Sequence, residues 1–337
     1  MTGLPRRRPG RQSAEAVAKF EAEKREFCDL IRQIASTLDF KVSARGWGYI
    51  FENRGVITKD DLDACQSFIN SCRKSGDLPL DICSADEARS FSNVERISDA
   101  SASEYARGVV RYVERAHCGY RPISVWENQP YYVQIMVEKI DLRSLFESVC
   151  EEFSVPVANA KGWSDINSRA DLMRRFAEHE AYGCRPVLLY CGDHDPAGLN
   201  ISEYLRSNLE ELSRATGWSP DNLIIDRFGL NADFIEDNEL VWIDNLITGS
   251  GERLDDPRHP DHRKPYVQNY IQRFGVRKVE ANALVVQPEA GRELCRQAIL
   301  KYVDTDALDE YREAIDSAQR EVQSEIRKAL VDMEGGE

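Results

Sequence analysis

The chain has 337 residues, 42% of them hydrophobic and 30% charged, with a formal net charge of -14. That length points to two domains, or one large domain with appendages, and the composition is that of a globular protein able to bury a sizeable core. The charge argues against a protein that coats nucleic acid indiscriminately, although an enzyme meeting DNA along one local basic groove remains compatible with it. No window approaches 18 consecutive apolar residues, so no membrane partner is expected. The opening MTGLPRRRPGR is basic with no apolar stretch behind it, so no secretory signal is expected. Nine cysteines form no CxxC pair, and an odd count without an export signal points to reduced thiols and a cytoplasmic setting.

Residues 1–12, with Arg6, Arg7, Arg8 and Arg11, have the composition of a flexible basic arm. From Ser13 to about Leu38 the apolar residues fall at helical steps. Ser43 caps a second expected helix to about Asn53, ended by Arg54-Gly55. Thr58-Lys59-Asp60-Asp61 has the form of a capping box opening a third helix through Cys72. LPLDI follows as a short extended piece, so the order resembles a winged helix-turn-helix unit within a helical domain spanning 13–120. A helix is expected over Ser103 to Ala116, carrying Arg107, Arg111 and Arg115, with Arg121 beyond it. The connector HCGYRPISVWENQP then marks a domain boundary.

After the connector, strand and helix alternate. YYVQIMVE, VPVANA, PVLLYC and NLIIDRF read as strands, with helices from Asp141 to Phe153, from a cap at Ser164 or Asp165 to His179, and from Gly198 to Leu212. Such alternation predicts an α/β domain over 121–304 with a mostly parallel sheet and helices on both faces. Residues 250–275 are expected as a long polar loop, and 305–337 as a charged amphipathic helical segment.

Glu138 ends the first of these strands, and Asp193 and Asp195 follow the third. Ligands of open α/β sheets sit beyond the carboxyl ends of the strands, where strand order switches. Three carboxylates converging there repel one another unless a divalent cation neutralises them. Hard oxygen ligands favour Mg²⁺, with Mn²⁺ as a substitute, and such an ion stabilises charge on a phosphate. The plainer alternative makes Glu138 a strand-end residue paired with Lys139 or an arginine.

VEKIDLRSLF, followed about fifty residues later by LLYCGDHDPAGLNI, resembles the Toprim domain in the DNA-cleaving subunit of topoisomerase VI, the type IIB topoisomerase, and in the related meiotic double-strand-break transesterase. The resemblance implies that Glu138, Asp193 and Asp195 bind magnesium. WENQPYYVQIMVEK, with its W-x-x-Q, is similar to stand-alone phage and bacterial members, which raises a phage or prophage origin. KVEANAL, Lys278 to Leu284, is similar to their closing segment, with Asn282 where an acidic residue is usual.

The family's nucleophile is a tyrosine in a preceding winged-helix domain, in a motif Ser/Thr-x-Arg-Asp-x-Tyr/Phe-Tyr. Ser43-Ala44-Arg45-Gly46-Trp47-Gly48-Tyr49 matches at Ser43, Arg45 and Tyr49, with glycines in place of the acidic and aromatic residues. Arg45 lies four residues before Tyr49 and shares its helix face, where a guanidinium can hold a phosphate or favour the phenolate. The alternative is that Tyr49 packs with Trp47 and Phe51 in a small core. Two glycines in one helix cost about 1 kcal/mol each against alanine, so some group must come close to that backbone.

The resemblance implies Mg²⁺-dependent cleavage of double-stranded DNA by tyrosyl transesterification, leaving a tyrosyl-linked 5′ end. It also implies a homodimer in which one protomer's tyrosine works with its partner's metal site. No GxxxxGK[ST] loop is present, so strand passage would need a separate GHKL-type ATPase chain. The rivals are a Toprim nuclease using activated water and a non-catalytic DNA-binding or assembly factor. Lys139 and Arg169 are expected either as phosphate contacts or as surface ion-pair residues. His194 reads as a neutral spacer, and His259 and His262 as part of a solvated loop.

Overall fold

The computed structural model describes residues 3–7, 13–84, 95, 97–160, 165–248 and 251–334. Arg8, Arg11 and the alternative cap Ser164 lie outside them. Helix α1, Ala14–Ala35, starts at Ser13, whose hydroxyl accepts from Ala16 N at 3.2 Å. Helix α2, Ala44–Asn53, is capped by Ser43 in the same way and ends before Gly55, at φ +65°. The Thr58–Asp61 capping box opens a short 3-10 turn that runs into α3, Leu62–Lys74. Phe27, Ile31, Trp47, Phe51 and Ile69 from these three helices form one buried cluster. Leu4 packs against it, and Arg6 pairs with Asp61.

The short strand expected at LPLDI is not formed. Leu80–Ile82 is a 3-10 turn, with Pro79 at its start and Leu80 71% exposed. Among the described residues of this unit there is no other strand for it to pair with, and an unpaired strand leaves its amides unsatisfied. The three expected helices are formed, and among the described residues no wing strand follows them. Next comes α4, Ala102–Arg115, opened by a Ser101–Glu104 capping box and without one buried residue.

The sheet follows the expected alternation. Strand β1 is Tyr131–Val137, α5 Ile140–Glu152, β2 Val157–Asn159, α6 Ile166–Ala181 and β3 Arg185–Cys191. After them come α7 Pro196–Leu199, α8 Ile201–Glu210, α9 Ser213–Thr216, β4 Ile224–Gly229 and α10 Ala232–Asp237. All four strands are parallel, in the order β2-β1-β3-β4, with Val137 opposite Cys191. In β1 and β3 every residue after the first is buried, which is why their sequences are continuous apolar runs rather than alternating ones. The chain leaves β1 toward β2 in one direction and returns to β3 in the other. Right-handed crossovers then carry α5 and α6 to opposite faces.

Before the sheet, Trp126 packs edge-on against Tyr132 at 4.9 Å. The Gln129 side chain exchanges hydrogen bonds of 2.9 and 2.8 Å with the backbone of Asp304. The W-x-x-Q stretch thus fastens the end of the domain to its beginning.

Residues 250–275 are not one long loop. Pro265–Phe274 is a helix, α11, with Val267 and Tyr270 buried beside Leu246 and Leu254. Proline is favoured at the first helical position, and Val267, Tyr270, Ile271 and Phe274 keep helical spacing behind the polar run that masks them. Helix α12, Pro288–Leu300, packs against α5, and α13, Thr305–Glu334, runs as one helix of 30 residues. Among the described residues no helix is long and apolar enough to cross a membrane. All nine cysteines are free, and only Cys118 is exposed.

Candidate functional site

The reversal in strand order lies between β1 and β3, and the residues that follow these strands face one another there. The Glu138 carboxylate accepts from Asp193 N at 2.8 Å through one oxygen. Its other oxygen takes the Lys139 ammonium at 2.6 Å, and the same ammonium reaches Asp193 Oδ2 at 2.8 Å. Asp193 Oδ1 accepts from Ala281 N at 2.8 Å. One cation therefore serves two carboxylates.

Burial pushes the Asp193 carboxyl up to about 7; Lys139 pulls against this and the Glu138 charge adds to it. Glu138 moves the other way. Burial disfavours its charge, but Lys139 and the bonds from Asp193 hold it below the usual glutamate range. Two acids with too little positive charge between them split in this manner, one ionised and one ready to keep a proton.

The turn after β3 is built to aim these groups. Gly192 is required by close approach, because a Cβ there would sit 2.7 Å from Glu138 Oε2 and 2.5 Å from the Tyr190 ring. Asp195 caps α7, its Oδ1 accepting from Gly198 N at 2.6 Å. Burial raises its carboxyl, and the Glu138 charge adds to the shift. His194 points away, among Trp242, Tyr270 and Phe274, with Nδ1 2.9 Å from Leu230 O. Burial lowers its pKa, so it is a neutral spacer fixed by packing. Arg227, on β4, braces the turn from below, donating to Asp193 O at 3.0 Å and to Gly198 O at 2.8 Å.

Tyr49 lies on the other side of the Glu280-Ala281 step. Its hydroxyl donates to Glu280, and Arg45 Nε reaches the same hydroxyl at 3.3 Å. Arg45 also pairs with Glu280 at 3.2 Å, and Lys278 stands 3.6 Å from that carboxylate. Trp47 and Phe51 belong to the helical core, whereas Tyr49 does not. Helical spacing turns 45 and 49 away from 47 and 51, so the core-packing alternative fails for this tyrosine. Burial, then the Glu280 charge, raises the Tyr49 phenol well above its ordinary value. The cavity beside it, lined by Glu52, Asn53, Lys59, Glu280 and apolar neighbours, is small, about 30 Å³.

The groups brought close to the glycine-containing helix are protein. A Cβ at Gly46 would meet Asp141 Oδ2 at 2.9 Å, and one at Gly48 would meet Leu62 at 2.9 Å. Asp141 accepts from both Ser43 N and Ser43 Oγ at 2.6 Å. Ser43 and Gly46 thus dock α2 onto α5.

The fold brings Glu138, Asp193, Arg45 and Tyr49 into two adjoining clusters joined by Glu280-Ala281. Lys139 is the ion-pair partner of Glu138, in keeping with the plainer alternative. Arg169 is buried and bonds Asn208 at 3.1 Å, so it reaches no open phosphate position. His259 pairs with Glu252, and His262 meets Leu254 O within the 250s loop. Asn282 is buried and its side-chain oxygen has no hydrogen-bond partner. The sequence motifs do not point to Glu280 or Arg227. Glu280 sits inside the KVEANAL stretch, two residues before Asn282, and Arg227 is a lone cation in the apolar strand NLIIDRF.

Among the described residues no three His, Cys, Asp or Glu side chains are grouped so as to hold a metal ion, so the expected convergence of Glu138, Asp193 and Asp195 is not formed: Glu138 and Asp193 meet, while Asp195 caps α7. Mg²⁺ needs no all-protein cage: it keeps its waters and is commonly held by one or two carboxylates plus substrate phosphates. Glu138 and Asp193 have that donor set, and the Lys139 ammonium already stands where a cation is demanded. These two side chains offer oxygen donors of the kind such an ion takes.

No protein-family model, no curated protein and no solved structure matches this chain.

Proposed function

We propose that this protein is a Mg²⁺-dependent DNA transesterase like the cleaving subunit of topoisomerase VI, with Tyr49 as nucleophile and Glu138, Asp193 and Asp195 as the Toprim-type acidic set. One observation carries the reading: two carboxylates from neighbouring parallel strands share a single cation at the switch point, and one residue step links them to a tyrosine paired with arginine. In the cleavage step the Tyr49 O–H bond breaks and Glu280 takes the proton. The freed electron pair forms a bond to phosphorus, and the P–O3′ bond breaks. Glu280 passes that proton on through water to the 3′ oxygen as it leaves, and the 5′ end stays on the tyrosine. Arg45, its side chain 51% exposed, is free to turn to the phosphate as Glu280 becomes neutral. Bound by Glu138 and Asp193, Mg²⁺ supplies Lewis-acid stabilisation of the charge on the phosphate and leaving oxygen. Double-stranded DNA as substrate, a homodimer and a separate ATPase chain belong to the same proposal.

A second reading is favoured by the closure of the tyrosine pocket. With the phenol raised and the cavity beside it small, hydrolysis at the carboxylate rim needs less rearrangement. Denaturing gels after incubation with plasmid and Mg²⁺ separate the two. Transesterification leaves a covalent protein–DNA adduct that Tyr49→Phe abolishes together with cutting. Free ends produced by Tyr49→Phe at the wild-type rate would establish hydrolysis instead.

A further inference from the structure

Eight of the nine cysteines are buried, and a thiol in apolar surroundings is inert because its ionised form would lose water. Cys118 is the exception. It lies in the 3-10 turn Ala116–Gly119 that follows α4, exposed and outside every core cluster. Its Sγ stands 3.5 Å from His117 Nε2, and Nδ1 of the same ring stands 2.9 Å from Glu114 O. A carbonyl oxygen can only accept, so Nδ1 carries the ring hydrogen and the Nε2 lone pair faces the thiol. The Cys118 S–H therefore donates to a free imidazole nitrogen. The bond to Glu114 O also satisfies a carbonyl at the end of α4, which accounts for the place of the ring but not for the thiol beside it. The turn is held from the other side, where Gln319 Nε2 on α13 donates to Cys118 O at 3.0 Å and to Tyr120 O at 3.2 Å. Its backbone is fixed without the thiol, which is left open. A nucleophile, a base within reach of its proton and a third group that orients the base are the parts of an activated nucleophile.

We propose that Cys118 is a modification site that takes up one half of a low-molecular-weight disulfide, with His117 as its base. His117 Nε2 takes the thiol proton as the Cys118 sulfur attacks one sulfur of the disulfide. A new S–S bond forms and the original S–S bond breaks. The departing sulfur takes the proton back from His117 and leaves as a thiol. The incoming disulfide is reduced as Cys118 is oxidised, so no other electron acceptor enters. A metal fits less well, because one thiol and one imidazole leave a tetrahedral zinc site half filled. None of these groups takes part in the cleavage step proposed above.

Oxidised glutathione added to the full chain, with adducts located by peptide mass mapping, tests the site without reference to DNA. One adduct is expected, on Cys118, forming about tenfold faster in the folded chain than on the same residue of the chain unfolded in urea. Cys118→Ser should abolish it. His117→Gln, whose amide can meet the thiol but cannot take its proton, should slow it about tenfold with unchanged far-UV circular dichroism, and His117→Ala should do the same. An adduct that forms first on another cysteine overturns the proposal, as does a Cys118 that reacts no faster folded than unfolded. So do folded His117 variants that react at the wild-type rate, which would leave Cys118 exposed but not activated.

Discussion

The two clusters on either side of Glu280-Ala281 both mix acids with bases, yet their charge balance differs. Around Tyr49, the acids Glu280, Glu52 and Asp244 are met by Arg45, Lys278 and Lys59, so negative and positive charge balance. At the rim, the carboxylates of Glu138 and Asp193 share Lys139, with Asp195 beside them capping α7 and Arg227 bonded to backbone oxygens. One cluster is balanced and the other is short of a cation. The divalent ion of the proposed function answers that shortage, whereas either cluster alone would pass for an ordinary buried ion pair.

The largest expected effect comes from removing a rim acid. Asp193→Ala should reduce Mg²⁺-dependent nicking of supercoiled plasmid on the order of a thousandfold, since the ion contributes several kcal/mol of charge stabilisation. Activity retained in that variant would leave the rim with a structural role only. Next is Lys139→Ala, which strips the shared cation from two carboxylates. Allowing for its quarter exposure, the cost should be about 2–4 kcal/mol, read from denaturant midpoints. Added Mg²⁺ should restore more of that loss than it adds to the wild type, and no restoration would break the comparison. Gly192→Ala should destabilise by about 1–3 kcal/mol, because its methyl group meets Glu138 and Tyr190. Thermal melts with and without Mg²⁺ check both the loss and its effect on ion binding.

The pH dependence is smaller and of unusual sign. A carboxyl held at about 7 in the folded chain, against an ordinary value of 3.8, favours folding while protonated. Its contribution is full below pH about 4 and is lost as the pH rises to about 7. Glu138, held low, contributes the opposite way: its share is present above the usual glutamate range and lost as the pH falls. Unfolding titrations across pH 4–7 should therefore show a weaker decline with rising pH in Asp193→Asn than in the wild type. Identical slopes would mean that Asp193 ionises normally.

The strands and most helices were legible because each rests on a local rule: buried parallel strands read as apolar runs, and Ser13, Ser43 and Thr58 announce helix starts. Helix α11 was hidden because the Asp, Pro and His residues ahead of it outweighed four spaced apolar positions. LPLDI misled because β-forming residues make a strand only where another strand offers hydrogen bonds. At the site, Glu138 and Asp193 were legible as strand-end acids, and the inward turn of His194 follows from alternation. The pairing of Tyr49 with Glu280 was not, since the two are 231 residues apart and no local pattern announces such a contact. The helix glycines do mark a close approach, but the groups pressing on them are Val42, Asp141 and Leu62.

Anomalous diffraction from crystals soaked in Mn²⁺ addresses the rim most directly. One peak bonded to both Glu138 and Asp193, with the Lys139 head group moved aside, is the predicted outcome. A Lys139 ammonium still bridging the two acids, with manganese absent or bound elsewhere, would contradict it.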